Sequence, residues 1–124
     1  MGQADLAIGI YFEHPDWFRP LFAELDRRST PYVKIYAGCH SYDVTSREKK
    51  YALLFNRMSA SAYLRGHEQA IFYTGDFLAH VESTGTRVIN GGQAFAIEIS
   101  KAAQLSLLHS LGISFPRSRV INCL

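Results

Sequence analysis

Seven residues near the amino end, Leu6-Ala7-Ile8-Gly9-Ile10-Tyr11-Phe12, are apolar on both faces of an extended chain and bounded by polar ones. That pattern predicts a strand buried inside a parallel sheet and ending near Phe12. After His14-Pro15, Asp16 is placed to cap a helix carrying Trp17, Leu21, Phe22 and Leu25 at helical spacing, with Arg27-Arg28 at the end where cations suit the dipole. Pro31 restarts the chain as a second strand, Tyr32 to Tyr36, followed by a polar loop from Gly38 to Lys50. Tyr51 to Phe55 reads as a third strand that stops at Asn56-Arg57. From His67 to Ser83, Ala70, Ile71, Thr74, Phe77, Leu78 and Val81 fall on one stripe of a long amphipathic helix, against which Gly75 costs about 1 kcal/mol. Gly85 ends that helix, Thr86 to Ile89 forms a fourth strand, and Asn90-Gly91-Gly92 breaks it. A further helix is expected from Ser100 as cap to Leu111, with Leu105, Leu108 and Leu111 inward and Gly112 as the stop. Ser118 to Asn122 reads as a fifth strand.

Strands alternating with helices predict an α/β fold: an open, mainly parallel, Rossmann-like sheet of about four strands with flanking helices and right-handed crossovers. In such sheets ligands sit beyond the carboxyl ends of the strands. The segments leaving those ends are Glu13 to Asp16, Gly38 to Ser41, Asn56 to Ser59 and Asn90 to Gly92, and they are expected to share one edge.

Composition narrows the function. The 124 residues are 48% hydrophobic and 19% charged, enough for one core and too ordered in pattern for a disordered chain. Lys and Arg exceed Asp and Glu by 13 to 11 with signs mixed throughout, so no basic stripe marks a nucleic-acid partner. No apolar stretch approaches the roughly 20 residues that cross a bilayer, so no membrane partner is expected. Asp5 and the lack of a preceding basic segment argue against a signal peptide. Leu6 breaks the myristoylation pattern that Met1-Gly2 would open, and Cys123 is misplaced for prenylation. With only Cys39 and Cys123, and no CxxC pair, the chain fits a reducing cytoplasm.

Several chemistries lack a carrier. The turn after the first strand has no G-x-G-x-x-G, and neither a P-loop nor a G-x-S-x-G elbow occurs. The histidines at 14, 40, 67, 80 and 109 show no zinc-ligand spacing. Two features remain. Arg57, directly after a buried strand, offers a planar fork to a carboxylate or phosphate, unless a neighbouring acid holds it. Lys101 sits at a helix start, where the dipole disfavours a cation, and either an anionic ligand or solvent accounts for it.

The succession Asn56-Arg57-Met58-Ser59, long helix, Val88-Ile89-Asn90-Gly91, Ser100-Lys101-Ala102-Ala103-Gln104 and Gly112-Ile113-Ser114-Phe115-Pro116-Arg117-Ser118 resembles the start of ATP-grasp ligases. It is most similar to ribosomal protein S6 modification enzymes and glutathione synthetases. The most specific part runs from Ser100 to Val120, a lysine at a helix start followed by Gly-Ile-x-x-Pro-x-Ser; Ser114 departs from the proline frequent there. The resemblance implies a pre-ATP-grasp domain over residues 1–97, and over 98–124 the first helix and strand of the nucleotide-binding domain. It implies that Lys101 contacts ATP phosphates; from their position in that fold, Asn56, Arg57 and Ser59 are expected to line the acceptor or peptide pocket, with His14 and Asn90 as further substrate-binding residues on the same edge. The implied reaction activates a carboxylate as an acylphosphate, which an amine or thiol then attacks, with magnesium neutralising the phosphates. A second lysine, a glycine-rich phosphate loop and the magnesium ligands would lie beyond Leu124, so ATP and magnesium belong to a longer parent. No catalytic residue or metal ligand is assigned within the chain, and no turnover by these residues alone is expected.

The implied partners are the remaining ATP-grasp portion, in the same or another chain, and a small-molecule or peptide carboxylate. Apolar surface around the last helix and Val120-Ile121 is expected to favour self-association. The alternative is a stand-alone flavodoxin-like binding or interaction domain in which Arg57 and Lys101 are incidental.

Overall fold

In the computed structural model, which describes residues 5–123, the first apolar run forms strand β1 (Ile8–Phe12) in the interior of a four-stranded sheet. Residues 1–4 and 124, the outer limits of the two expected units, lie outside the described residues. Strands β2 (Tyr32–Tyr36), β3 (Leu53–Asn56) and β4 (Arg87–Ile89) complete the sheet in the order β2-β1-β3-β4. Every pair is parallel, with Tyr11 opposite both Ile35 and Asn56, and Leu54 opposite Gly9 and Val88. The expected α/β class and sheet are therefore observed, although β3 begins at Leu53 rather than Tyr51 and takes in Asn56.

The period-two alternation of β1 sends its side chains to two different layers. On one face Phe12 meets Phe18 and, from helix α1 (Arg19–Arg27), Phe22, with ring centroids 5.9 and 5.2 Å apart. On the other face Tyr11, Ile35 and Leu54 pack under helix α2 (Glu68–Ser83), whose stripe buries Ala70, Thr74, Phe77, Leu78 and Val81. Thr74 Oγ1 donates its proton to the Ala70 carbonyl at 2.6 Å, so the Tyr11 hydroxyl must donate to Thr74 Oγ1 at 2.9 Å. Burial holds the Tyr11 phenol well above its ordinary range, which keeps it a donor.

Beyond β4, helix α3 (Gly92–Glu98) packs between α2 and helix α4 (Lys101–Ser110). Ser100 caps α4 as expected, its Oγ accepting from the Ala103 N–H at 3.1 Å, and Gly112 closes it at φ 67°. Ser100→Ala is expected to lower stability by about 1 kcal/mol in urea unfolding, within the range for a lost cap.

Four expectations are corrected. Asp16 does not cap α1: the cap position is Phe18, no side chain caps the helix, and the Asp16 carboxylate pairs with Arg19 at 2.5 Å. Trp17 precedes the helix and is 57% exposed instead of facing the core. On α4, Leu105 and Leu108 are half-buried but Leu111 is exposed, because no further layer covers that side. Ser118 to Asn122 forms no strand; its backbone finds no neighbour, since the free edge at β4 ends with Ile89. The strand expected to open a second domain is thus not formed among the described residues.

Candidate functional site

Because all four strands run the same way, Glu13, Gly38–Ser41, Arg57–Ser59 and Asn90 leave the sheet on one edge. The order β2-β1-β3-β4 places the point where successive connections diverge beside β1. The edge is divided into two clefts, one beyond β3 and β4 and one beyond β2.

The first cleft, of about 180 Å³, is lined by Asn56, Arg57, Ser59 and Asn90, together with Trp17, Phe18 and Glu98. Asn56 is buried, and its amide is committed to the scaffold: Nδ2 donates to the Asn90 carbonyl at 2.9 Å and Oδ1 accepts from the Met58 N–H at 3.0 Å. Asn90 answers with Nδ2 donating to the Asn56 carbonyl at 3.2 Å, from a left-handed backbone at φ 57° that asparagine tolerates. This reciprocal pair clamps the ends of β3 and β4. Ser59 Oγ caps the 3-10 helix Ala60–Arg65, accepting from the Ser61 N–H at 3.2 Å.

Arg57 differs from these three. Its guanidinium lies 5.4 Å from the Phe18 ring centre and 5.3 Å from that of Phe55, and it pairs with no carboxylate among the described residues. Two aromatic rings thus fix the plane of an exposed cation while its N–H groups remain available. A carboxylate or phosphate oxygen is what such a fork binds.

Two sequence-expected residues stand outside this cleft. His14 Nδ1 accepts from the Asp16 and Trp17 N–H groups at 3.1 and 3.3 Å, and its ring stacks on Trp17 at 3.9 Å. It orients the tryptophan that lines the cleft. Lys101 is exposed at the start of α4, and its Nζ donates to Gln104 Oε1 at 3.1 Å. It is not among the side chains lining the cleft.

Between the clefts lies a cluster that the sequence reading did not single out. Glu13, at the end of β1, is completely inaccessible. Arg65 grips it with Nε 2.9 Å from Oε1 and Nη2 2.5 Å from Oε2, while His67 Nδ1 is 2.5 Å from Oε1. Burial alone would raise this carboxyl, but hydrogen bonds from Arg65 and His67 outweigh it and hold Glu13 below the usual carboxylate range. An ionised carboxylate only accepts, so His67 Nδ1 carries the hydrogen in this contact. A glutamate set directly after an all-apolar strand was the available signal.

The second cleft, of about 500 Å³, opens between residues 37–41 and the start of α2, and Cys39, His40, His67, Gln69 and Tyr73 line it. His40 Nδ1 is 2.8 Å from the Tyr73 hydroxyl, and burial followed by the charge of Lys50 lowers its pKa. Among the described residues, no group of three His, Cys, Asp or Glu side chains is placed to hold a metal ion. No helix there is long and apolar enough to cross a membrane.

The fold and its edge define an all-parallel α/β domain with polar segments gathered at the carboxyl ends of the strands. Solved structures with the same fold include two of the ATP-grasp ligase PsnB. With its minimal precursor, PsnB matches 91% of this chain at 20% identity and a TM-score of 0.61; with precursor peptide PsnA2 and AMPPNP, it matches 94% at 20% identity and 0.57. The chain spans only 45% and 48% of those chains, less than half their length. No protein-family model matches the sequence, and no curated protein matches it.

Proposed function

We propose that this chain is the amino-terminal part of an ATP-dependent carboxylate–amine or carboxylate–thiol ligase of the ATP-grasp type, supplying the substrate side of the cleft. The observation that carries the reading is the shared fold with PsnB over nine-tenths of the chain, with an unpaired, aromatic-backed Arg57 at the ligand edge of that fold. The narrower kinship with S6 modification enzymes and glutathione synthetases rests on the Ser100 to Val120 motif.

In this reading Arg57 binds and orients a carboxylate, from a small molecule or a peptide, and neutralises its charge. The Asn56–Asn90 clamp and the Ser59 cap fix the backbone on either side of that arginine, and His14 holds Trp17 as one wall. Among the described residues, no group of three His, Cys, Asp or Glu side chains is placed to hold magnesium, and Lys101 is exposed and bonded to Gln104. Lys101 would then meet the nucleotide only together with the remaining portion of the ligase. Exposed Leu107, Leu111, Val120 and Ile121, on α4 and after it, supply apolar surface for that portion to cover.

The test begins with the mass of the natural polypeptide, by immunoblot of the source cells. A product roughly twice 14.0 kDa or more is expected from the share of PsnB that the chain spans. On that product, carboxylate-dependent ADP formation should fall about tenfold or more in Arg57→Ala at unchanged thermal stability, the loss of a charge-assisted contact. Lys101→Ala should raise the KM for ATP. A natural product of 14.0 kDa that neither forms ADP nor acquires that activity with a second chain would overturn the ligase reading in favour of a stand-alone binding domain.

A further inference from the structure

The second cleft carries chemistry that the ligase reading does not use. Its wall includes His67, whose Nδ1 is tied to the buried Glu13 carboxylate, leaving Nε2 without a hydrogen-bond partner among the described residues. A carboxylate behind an imidazole fixes both its ring orientation and its tautomer. Charge adds a second constraint. Glu13 contributes one negative charge and Arg65, which grips it through two nitrogens, one positive charge. Protonated His67 therefore leaves the cluster with a surplus of a single positive charge, delivered at Nε2.

Among the described residues, no acidic residue lines this cleft, and no lysine or arginine does. Its other polar side chains include the Gln69 amide, the His40 ring, the Cys39 thiol and the hydroxyls of Ser41 and Tyr73, which in their neutral forms are donors or acceptors without charge. We propose that this cleft is a binding site for a small monocarboxylate, with protonated His67 as the cationic contact and Glu13 as its positioning residue. A single surplus charge among neutral donors suits a monoanion better than a phosphate dianion. The assignment does not depend on the ligase reading.

The groups facing His67 are Glu13 at the end of β1, Arg65 of the 3-10 helix, Tyr36 of β2 at 6.3 Å between ring centres, and Cys39, His40 and Gln69 around the cleft. The probe is acetate, with acetamide as its neutral isostere, followed by NMR of the imidazole resonances in the isotopically labelled chain. Saturable shifts of the His67 imidazole with acetate and not with acetamide are the expected result. His67→Gln, which retains a donor for Glu13, should weaken acetate binding about tenfold or more. Equal responses to acetate and acetamide, inorganic phosphate binding in place of acetate, or an acetate response unchanged by His67→Gln would each overturn the proposal. The comparison of acetate with acetamide uses the unaltered chain, so it decides the matter even where the variant folds poorly.

Discussion

Arg65→Ala is expected to lower the stability of the chain by about 2–3 kcal/mol in urea unfolding. Breaking a buried ion pair from one side typically costs about 3–5 kcal/mol, because it strands an uncompensated charge. The lower figure applies because the cluster is shallow: Arg65 keeps 23% of its side chain in water although Glu13 has none. Removing the charge that would be stranded should recover much of the loss, so the double variant Arg65→Ala, Glu13→Gln is expected to be more stable than Arg65→Ala alone. A double variant no more stable than the single one would show that packing, not charge, sets the cost.

The same cluster makes stability depend on pH with a definite sign. The folded state holds the Glu13 carboxyl below its unfolded value, which is about 4.3. Its contribution is therefore complete above that unfolded value and is lost as pH falls through the lower folded one. In Arg65→Ala the lowering is diminished, and the stability curve on the acid side should flatten relative to the parent chain.

Phe77→Ala is expected to be at least as damaging, at about 3–5 kcal/mol, the range for an aromatic ring removed from a packed core. Phe77 is 2% exposed and meets the rings of Tyr11 at 5.0 Å, His40 at 4.5 Å and Tyr42 at 5.4 Å. From α2 it touches both the sheet, at Tyr11, and the loop, at His40 and Tyr42. Thermal melts monitored by near-ultraviolet circular dichroism should show a lower Tm and a weaker aromatic signal. A loss below about 1 kcal/mol would mean that the surrounding rings collapse into the space.

Periodicity made much of this architecture readable, and its failures have specific causes. β1, β2 and α2 carry long apolar patterns, and their positions agree with the pattern to within two residues. Helix α3 was hidden because it has seven residues, begins at the second of two glycines and buries only Phe95, too little to define a stripe. Ser118 to Asn122 has strand-like composition, but a strand needs a partner and the sheet offers none there. Asp16 looks like a cap, yet the helix begins later, with Phe18 at the cap position, and the Asp16 carboxylate pairs with Arg19 instead.

The candidate site divides in the same way. The rule that ligands meet the carboxyl edge of a parallel sheet located the first cleft, and Asn56, Arg57, Ser59 and Asn90 do line it. What a sequence pattern does not convey is that three of those side chains are spent on their own backbone, leaving Arg57 as the available group. The Glu13, Arg65 and His67 cluster joins residues 52 and 54 positions apart, and no local spacing encodes such a contact.

The sheet's two borders are unequal, and the difference bears on whether a further strand can be added to it. β4 offers only three residues of open ladder before the left-handed turn at Asn90, too short to template an incoming strand. β2 offers five, but Lys34 sits at its centre, with its ammonium over the Phe22 ring. Strand-by-strand extension into fibrils is thus blocked at one border by brevity and discouraged at the other by charge. The apolar side chains of α4 and the residues after it lie apart from both borders, so that surface can be covered without disturbing the sheet.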